Sequence, residues 1–202
     1  MRTLPLLLFV AALLVFLLLA LIGGAEHALD VAVIRTFQDW RTAQPQATTA
    51  VIWLTHAGGA PFLLTVAGCG AAFLLWRRQK VRAWALVLTV LGGRLGLEAV
   101  KLLVDRPRPS FDAHPVTVFS QSFPSGHAGN SMVTYVALAL FVAPERWRVP
   151  AVVAGFGLAL AIGATRPMLG VHWPSDVVGG WLYGLAVVAL GWTLSRRERN
   201  AA

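Results

Sequence analysis

Long apolar runs recur along this chain, and they limit its fold more than any other feature. A helix crossing a hydrocarbon core of roughly 30 Å needs about 20 residues at about 1.5 Å each. Such runs stand at Thr3 to Gly23, Ala60 to Trp76, Ala83 to Val104, Asn130 to Ala143, Val149 to Thr165 and Val177 to Ser195. The fourth is short unless it extends back through its polar start. The expectation is an all-α, polytopic membrane protein with about six transmembrane helices in one bundle, a single membrane-embedded domain over residues 1–202. Composition agrees, since 57% apolar and 13% charged residues lie outside the range of soluble domains.

The first run follows Arg2 and exceeds the usual signal-peptide core of about 7 to 15 residues, so it reads as a retained helix. Cys69 falls inside the second run, where a buried apolar role is expected, and a lone cysteine forms no intrachain disulfide. A net charge of +8 would point to nucleic acid in a soluble chain. Here topology explains it, and no nucleic-acid partner is expected. With the N-terminus cytoplasmic, inside segments carry Arg2, Arg77, Arg78, Lys80, Arg82, Arg146, Arg148, Arg196, Arg197 and Arg199, 10 of the 17 cations. That is the positive-inside pattern, and Trp76, Trp84, Trp147 and Trp192 fall at span boundaries as interfacial aromatics.

Arg35 and Arg41 lie in the first outer loop and Arg94 within a span, but Lys101, Arg106, Arg108 and Arg166 gather at helix ends on the extracytoplasmic side. Three distant segments, "KLLVDRPRPS", "SQSFPSGHAGNSM" and "GATRPMLGVHWPSD", thereby meet at one membrane face. Ionisable residues at membrane depth point to function. Several cations, two histidines and the carboxylate of Asp176 suit an oxygen-rich anion, and phosphate is the natural one. Arg forks match its oxygens bidentately and Lys adds a point charge. Gly126 lets the backbone approach, the amides opening the next helix point at an anion, and Ser125 can donate its hydroxyl. His172 and Asp176 share a face if the segment is helical from His172, so the carboxylate can fix the imidazole tautomer and free the other nitrogen as nucleophile or base. With His127 as the second histidine, one ring can attack phosphorus while the other protonates the departing oxygen.

These spacings resemble the type 2 phosphatidic acid phosphatase superfamily. Its first motif, Lys, six residues, Arg-Pro, matches Lys101 to Pro109; its second, Pro-Ser-Gly-His, matches Pro124 to His127. The third, Ser-Arg, five residues, His, three residues, Asp, matches at Arg166, His172 and Asp176, with Thr165 in place of the Ser. The motif core is 101–176. The resemblance implies a membrane-embedded phosphatase domain with His172 as nucleophile, Asp176 as its orienting partner and His127 as general acid. It assigns Lys101, Arg108, Ser125, Gly126 and Arg166 to phosphate binding and implies no metal and no other cofactor.

Outside the motifs, Arg94 and Glu98 at i and i+4 read as a self-neutralising intramembrane pair. His27 and His56 read as structural, His114 and Asp112 as rim, Arg106 as adjacent to the site, and the glycines at 91–93 and 177–180 as helix-packing positions. A serine hydrolase from Ser125, His172 and Asp176 would leave the cations without purpose, and a metal hydrolase would set a divalent cation against a cationic wall. A lipid transporter explains the spans and not the histidines. The expected substrate is a lipid phosphate or diphosphate: a polyprenyl (undecaprenyl) diphosphate, phosphatidylglycerophosphate or phosphatidate. The expected product is free phosphate, with transfer to another lipid as the alternative. The expected location is the plasma (inner) membrane, with the site extracytoplasmic. Sequence alone leaves the oligomeric state open.

Overall fold

The computed structural model describes residues 3–25 and 27–201, and among these it is helical without strands. In chain order the helices are α1 (Thr3–Ile22), α2 (Ala28–Ala43), α3 (Pro45–His56), α4 (Ala60–Trp76), α5 (Lys80–Val104), α6 (Gly126–Phe141), α7 (Glu145–Met168) and α8 (Pro174–Ala201). The six expected runs are α1 and α4 to α8.

Local chemistry sets the ends that matter. Helix α5 stops at Asp105, which takes a left-handed φ of 47° while its N–H caps Lys101 O, and the Pro107 and Pro109 that follow cannot continue a helix. Helix α8 opens on Pro174, whose missing N–H costs nothing at a first turn. Helix α6 starts at Gly126, earlier than the apolar run at Asn130, so Gly126 and His127 occupy its first turn.

The core centres on α6, which packs on α5, α7 and α8 and buries Met132, Val133, Val136, Ala137 and Phe141. Close approach of α8 depends on Gly180, where an added Cβ would lie 2.7 Å from Ser125 O and 2.9 Å from Ala128 Cβ. That matches the packing role expected at 177–180. The 91–93 glycines divide: Gly93 faces Val187 and Val133, whereas Gly92 meets nothing within 4 Å. Helix α1 lies on α8, with the Phe16 and Phe123 rings 5.2 Å apart.

Several expectations need correction. The segment taken as an outer loop folds into α2 and α3. Helix α2 turns only Asp30 and Ile34 fully inward, a stripe too narrow to register as an apolar run. Helix α3 has 12 residues and meets α4 at a 42° bend, and the two together have the length and apolarity of one broken span. Among the described residues, α7 and the 174–196 part of α8 meet that criterion singly. Helix α5 is also long enough to span, about 37 Å at 1.5 Å per residue, and carries Arg94, Glu98 and Lys101 in its second half. Cys69 is exposed on α4 instead of buried. Trp76, Trp84 and Trp147 are exposed at helix ends, whereas Trp192 is partly buried against Phe141. Arg2 and the side chains of Arg197 and Arg199 lie outside the described residues.

Candidate active site

The end of α5, the 105–125 loop, the start of α6, the end of α7 and the start of α8 converge on a cavity of about 270 Å³. Lys101, Arg108, Gly126, His127, Arg166 and His172 line it, with Gly58 and Ala60 from the α3–α4 bend and Arg94, Glu98 and Asn130 from α5 and α6. Ser125 stands directly before Gly126, and Asp176 lies behind His172.

His172 precedes α8 instead of sharing a helical face with Asp176. A turn joins them: Trp173 N donates to Asp176 Oδ2 at 2.9 Å, and Asp176 N donates to Trp173 O at 3.0 Å. His172 Nδ1 stands 3.4 Å from Asp176 Oδ2, and its Nε2 stands 3.0 Å from Arg108 Nη1. A guanidinium only donates. Nε2 therefore carries the lone pair, and Nδ1 carries the proton that faces the carboxylate. Burial first, then the Arg108 charge, holds the His172 imidazole well below its usual pKa, so the ring is neutral. Burial also lowers the Arg108 guanidinium from its ordinary value, partly opposed by Asp176.

Asp176 is fully buried and surrounded by donors. Ser122 Oγ donates to Oδ2, and Arg106 Nη1 donates to Oδ1 at 2.7 Å. The Arg106 guanidinium also lies 4.5 Å over the Phe123 ring, donates to Ser175 Oγ at 3.1 Å, and grips the carbonyls of Leu19 and Ala20 at the end of α1. Asp30 of α2 closes the other side, accepting from Gly24 N at 2.7 Å and Ser175 N at 2.9 Å. The carboxylate behind His172 is thus tied to α1 and α2.

The cations are held by oxygens of the 105–125 loop, the Val171 carbonyl and Thr55 around the cavity. Lys101 Nζ donates to Ser120 Oγ (2.8 Å) and Gln121 O (3.0 Å). Arg108 donates to Ser120 O and Val171 O, each at 2.7 Å. Arg166 Nη1 donates to Thr55 Oγ1 at 2.7 Å, and Thr165 Oγ1 donates to the same hydroxyl at 3.0 Å. Of the five buried side-chain polar atoms without a hydrogen-bond partner among the described residues, two belong to the expected phosphate-binding set, Arg166 Nε and Ser125 Oγ. The side chain of Ser125 makes no cap bond to α6, so the first amides of that helix are also open toward the cavity.

Arg94 and Glu98 do not pair. The ion pairs among the described residues are Arg41–Asp112, Arg106–Asp176, Arg148–Glu145 and His172–Asp176. Asp112 serves the rim by binding Arg41 of α2 at 2.5 Å, and His114 bonds Pro109 O at 2.8 Å. His27 and His56 do not line the cavity.

Sequence reasoning missed Ser122 and Thr55 and left Arg106 undecided. Ser122 carried a weak signal, a hydroxyl inside the polar "SQSFPSGH" stretch. Thr55 carried none, because only the α3–α4 bend brings it beneath Arg166.

This fold and site have relatives. The PAP2 superfamily model matches residues 82–200. A phosphatidylglycerophosphatase B of Bacillus subtilis is 31% identical over 177 residues, covering 84% of this chain and 82% of the relative. An undecaprenyl-diphosphatase of Sulfolobus acidocaldarius is 29% identical over 119 residues, 56% of this chain and 55% of its own length. A lipid A 1-phosphatase of Rhizobium etli is 33% identical over 132 residues, 56% and 54%. The crystal structure of a transmembrane PAP2-type phosphatidylglycerolphosphate phosphatase from Bacillus subtilis superimposes with a TM-score of 0.85 at 28% identity, covering 94% of this chain and 96% of that one. The chain belongs to the PAP2 superfamily and is a membrane protein.

Proposed function

We propose that this protein is a membrane lipid phosphatase that removes the terminal phosphate of a lipid phosphomonoester or diphosphate through a phosphohistidine on His172. The observation that carries the reading is the neutral His172 ring, its Nε2 lone pair turned toward a cavity that holds Lys101, Arg108 and Arg166. Three cations with the unpartnered Ser125 Oγ and Arg166 Nε form a donor set for phosphoryl oxygens.

In this reading, a phosphoryl oxygen replaces His172 Nε2 as the acceptor of Arg108, and Nε2 attacks phosphorus. The bond to the leaving oxygen breaks in line, and His127 gives that oxygen its proton. Asp176 holds the Nδ1 proton and stabilises the ring as it becomes cationic, while Lys101, Arg108, Arg166, Ser125 and the amide edge at Gly126 meet the equatorial oxygens. Water, deprotonated by His127, then attacks the phosphohistidine and frees phosphate. Loss of a metal is not expected to matter. The charge facing the substrate is already cationic, from Lys101, Arg108 and Arg166.

The lipid character of the substrate rests on the apolar helices around the site and on the names of the relatives. Phosphatidylglycerophosphate, a polyprenyl diphosphate and phosphatidate are the substrates to compare. The domain spans 1–202, and its site faces the extracytoplasmic side of the plasma membrane. Phosphate release by purified protein from these three lipids in excess chelator tests the reading. Release is expected; activity that disappears with chelator and returns with one divalent cation would overturn it.

A further inference from the structure

The catalytic groups use only the outer part of the cavity. Its remaining polar lining is Arg94, Glu98 and Asn130 on α5 and α6, with Thr117 and Ser120 from the 105–125 loop. Arg94 and Glu98 are half-buried, Asn130 is 8% exposed, and none of the three makes a hydrogen bond or close ion pair among the described residues, the Glu98 carboxylate acting on Lys101 only through its charge. Polar groups left unpartnered at membrane depth are costly, and their retention points to a ligand.

Their placement says which part of a substrate they would meet. Arg94, Glu98 and Lys101 follow at i, i+4 and i+7 on one face of α5, so Arg94 lies about 10 Å deeper than Lys101 at 1.5 Å per residue. His127 and Asn130 are three apart on one face of α6. The leaving oxygen that His127 protonates therefore departs beside Asn130, toward Glu98 and Arg94. Their donor and acceptor types differ from the phosphoryl pocket: a carboxylate repels phosphate but accepts a hydroxyl, and the guanidinium beyond it suits a second phosphate.

Building on the proposed lipid phosphatase activity, we infer that Arg94, Glu98 and Asn130 form a leaving-group subsite that reads a second phosphate joined to the scissile one through a hydroxyl-bearing spacer. Asn130 and Glu98 hold the spacer hydroxyl, and Arg94 holds the diester phosphate beyond it. Phosphatidylglycerophosphate has both features. A polyprenyl diphosphate brings its second phosphate on the bridging oxygen itself, too near for Arg94, and phosphatidate has neither a second phosphate nor a free spacer hydroxyl.

The test is kcat/KM on all three lipids in mixed micelles for wild type, Arg94→Gln, Arg94→Lys, Glu98→Gln and Asn130→Ala. Wild type is expected to prefer phosphatidylglycerophosphate. Arg94→Gln should lower kcat/KM on that lipid about ten- to a hundredfold, the worth of a charge-assisted hydrogen bond, and change phosphatidate less than about twofold. Arg94→Lys should keep part of the preference, and Glu98→Gln and Asn130→Ala should each reduce it. A preference in wild type for phosphatidate or the diphosphate, or an equal loss on all three lipids in Arg94→Gln, would overturn the subsite. Wild-type protein that releases phosphate from none of them would instead sink the phosphatase reading. One measurement needs no variant: short-chain phosphatidylglycerol should compete with an aryl phosphate more strongly than the matching diacylglycerol, and equal competition would also overturn the subsite.

Discussion

In the proposed mechanism Asp176 acts from behind His172, without lining the cavity. Its Oδ2 stands 3.4 Å from Nδ1 of His172, and Ser122, Trp173 N and Arg106 donate to the carboxylate and fix its position. Asp176→Asn preserves the shape and loses the tautomer, so turnover should fall on the order of 10⁴-fold, the loss known for a triad carboxylate made neutral; steady-state rates check this. The buried, neutral His172 also fixes the sign of a pH effect. Its folded pKa is lowered, so below about 6.5 the unfolded chain takes up a proton that the folded chain refuses, and stability is lost as pH falls. Between about pH 7 and about pH 5, the thermal midpoint of wild type in detergent should drop more than that of His172→Gln. Equal drops would remove His172 as the cause. The motif spacing was legible in sequence, and the fold brings Lys101, Arg108, Gly126, His127, Arg166 and His172 to one cavity with Ser125 and Asp176 beside it. Ser122, Thr55 and the Arg106–Asp176 bond were not legible, since each depends on segments that meet only through the fold, 54, 111 and 70 residues apart.

Helix packing holds the two candidate site strips together. The α6–α8 contact at Gly180 carries the Ser125 N to Asp176 O hydrogen bond of 2.9 Å, which fixes the "PSGH" strip to the His172–Asp176 turn. Gly180→Ala must push α8 away from backbone atoms, at about 1 to 3 kcal/mol for overpacking. It should lower the thermal midpoint and reduce turnover together. Gly92→Ala, which meets open space, should change neither, and similar behaviour of the two variants would deny that contact its role. The long helices were legible because a buried or lipid-facing helix writes its whole length in apolar residues. Helices α2 and α3 were not, because α2 shows a narrow inward stripe and α3 is half of a bent span. Yet α2 supplies Asp30, which with Arg106 anchors the first turn of α8.

At the scale of the whole molecule, α5 runs from the basic 77–82 segment at one end to the cavity at Lys101 at the other, and the positive-inside pattern makes an extracytoplasmic site the expected orientation. With the exposed Cys69 replaced by Ser, a cysteine at Ala113 should react with an impermeant reagent outside intact cells and one at Gln79 should not; the reverse would invert the topology. The helical bundle was legible from hydropathy, whereas the depth of the cavity was not. The Arg94–Glu98 spacing fits an ion pair equally well, and only the folded helices turn the two residues toward Asn130 unpaired. The central claim is that phosphate passes through His172 with His127 as proton donor. Brief reaction with labelled substrate, an alkaline quench and measurement of acid-labile label on the protein test it directly. Wild type should carry the label, His172→Ala should carry none, and His127→Ala should still carry it from an aryl phosphate, whose leaving group needs little protonation. Label on His172→Ala together with its absence from His127→Ala would contradict the assignment of both histidines.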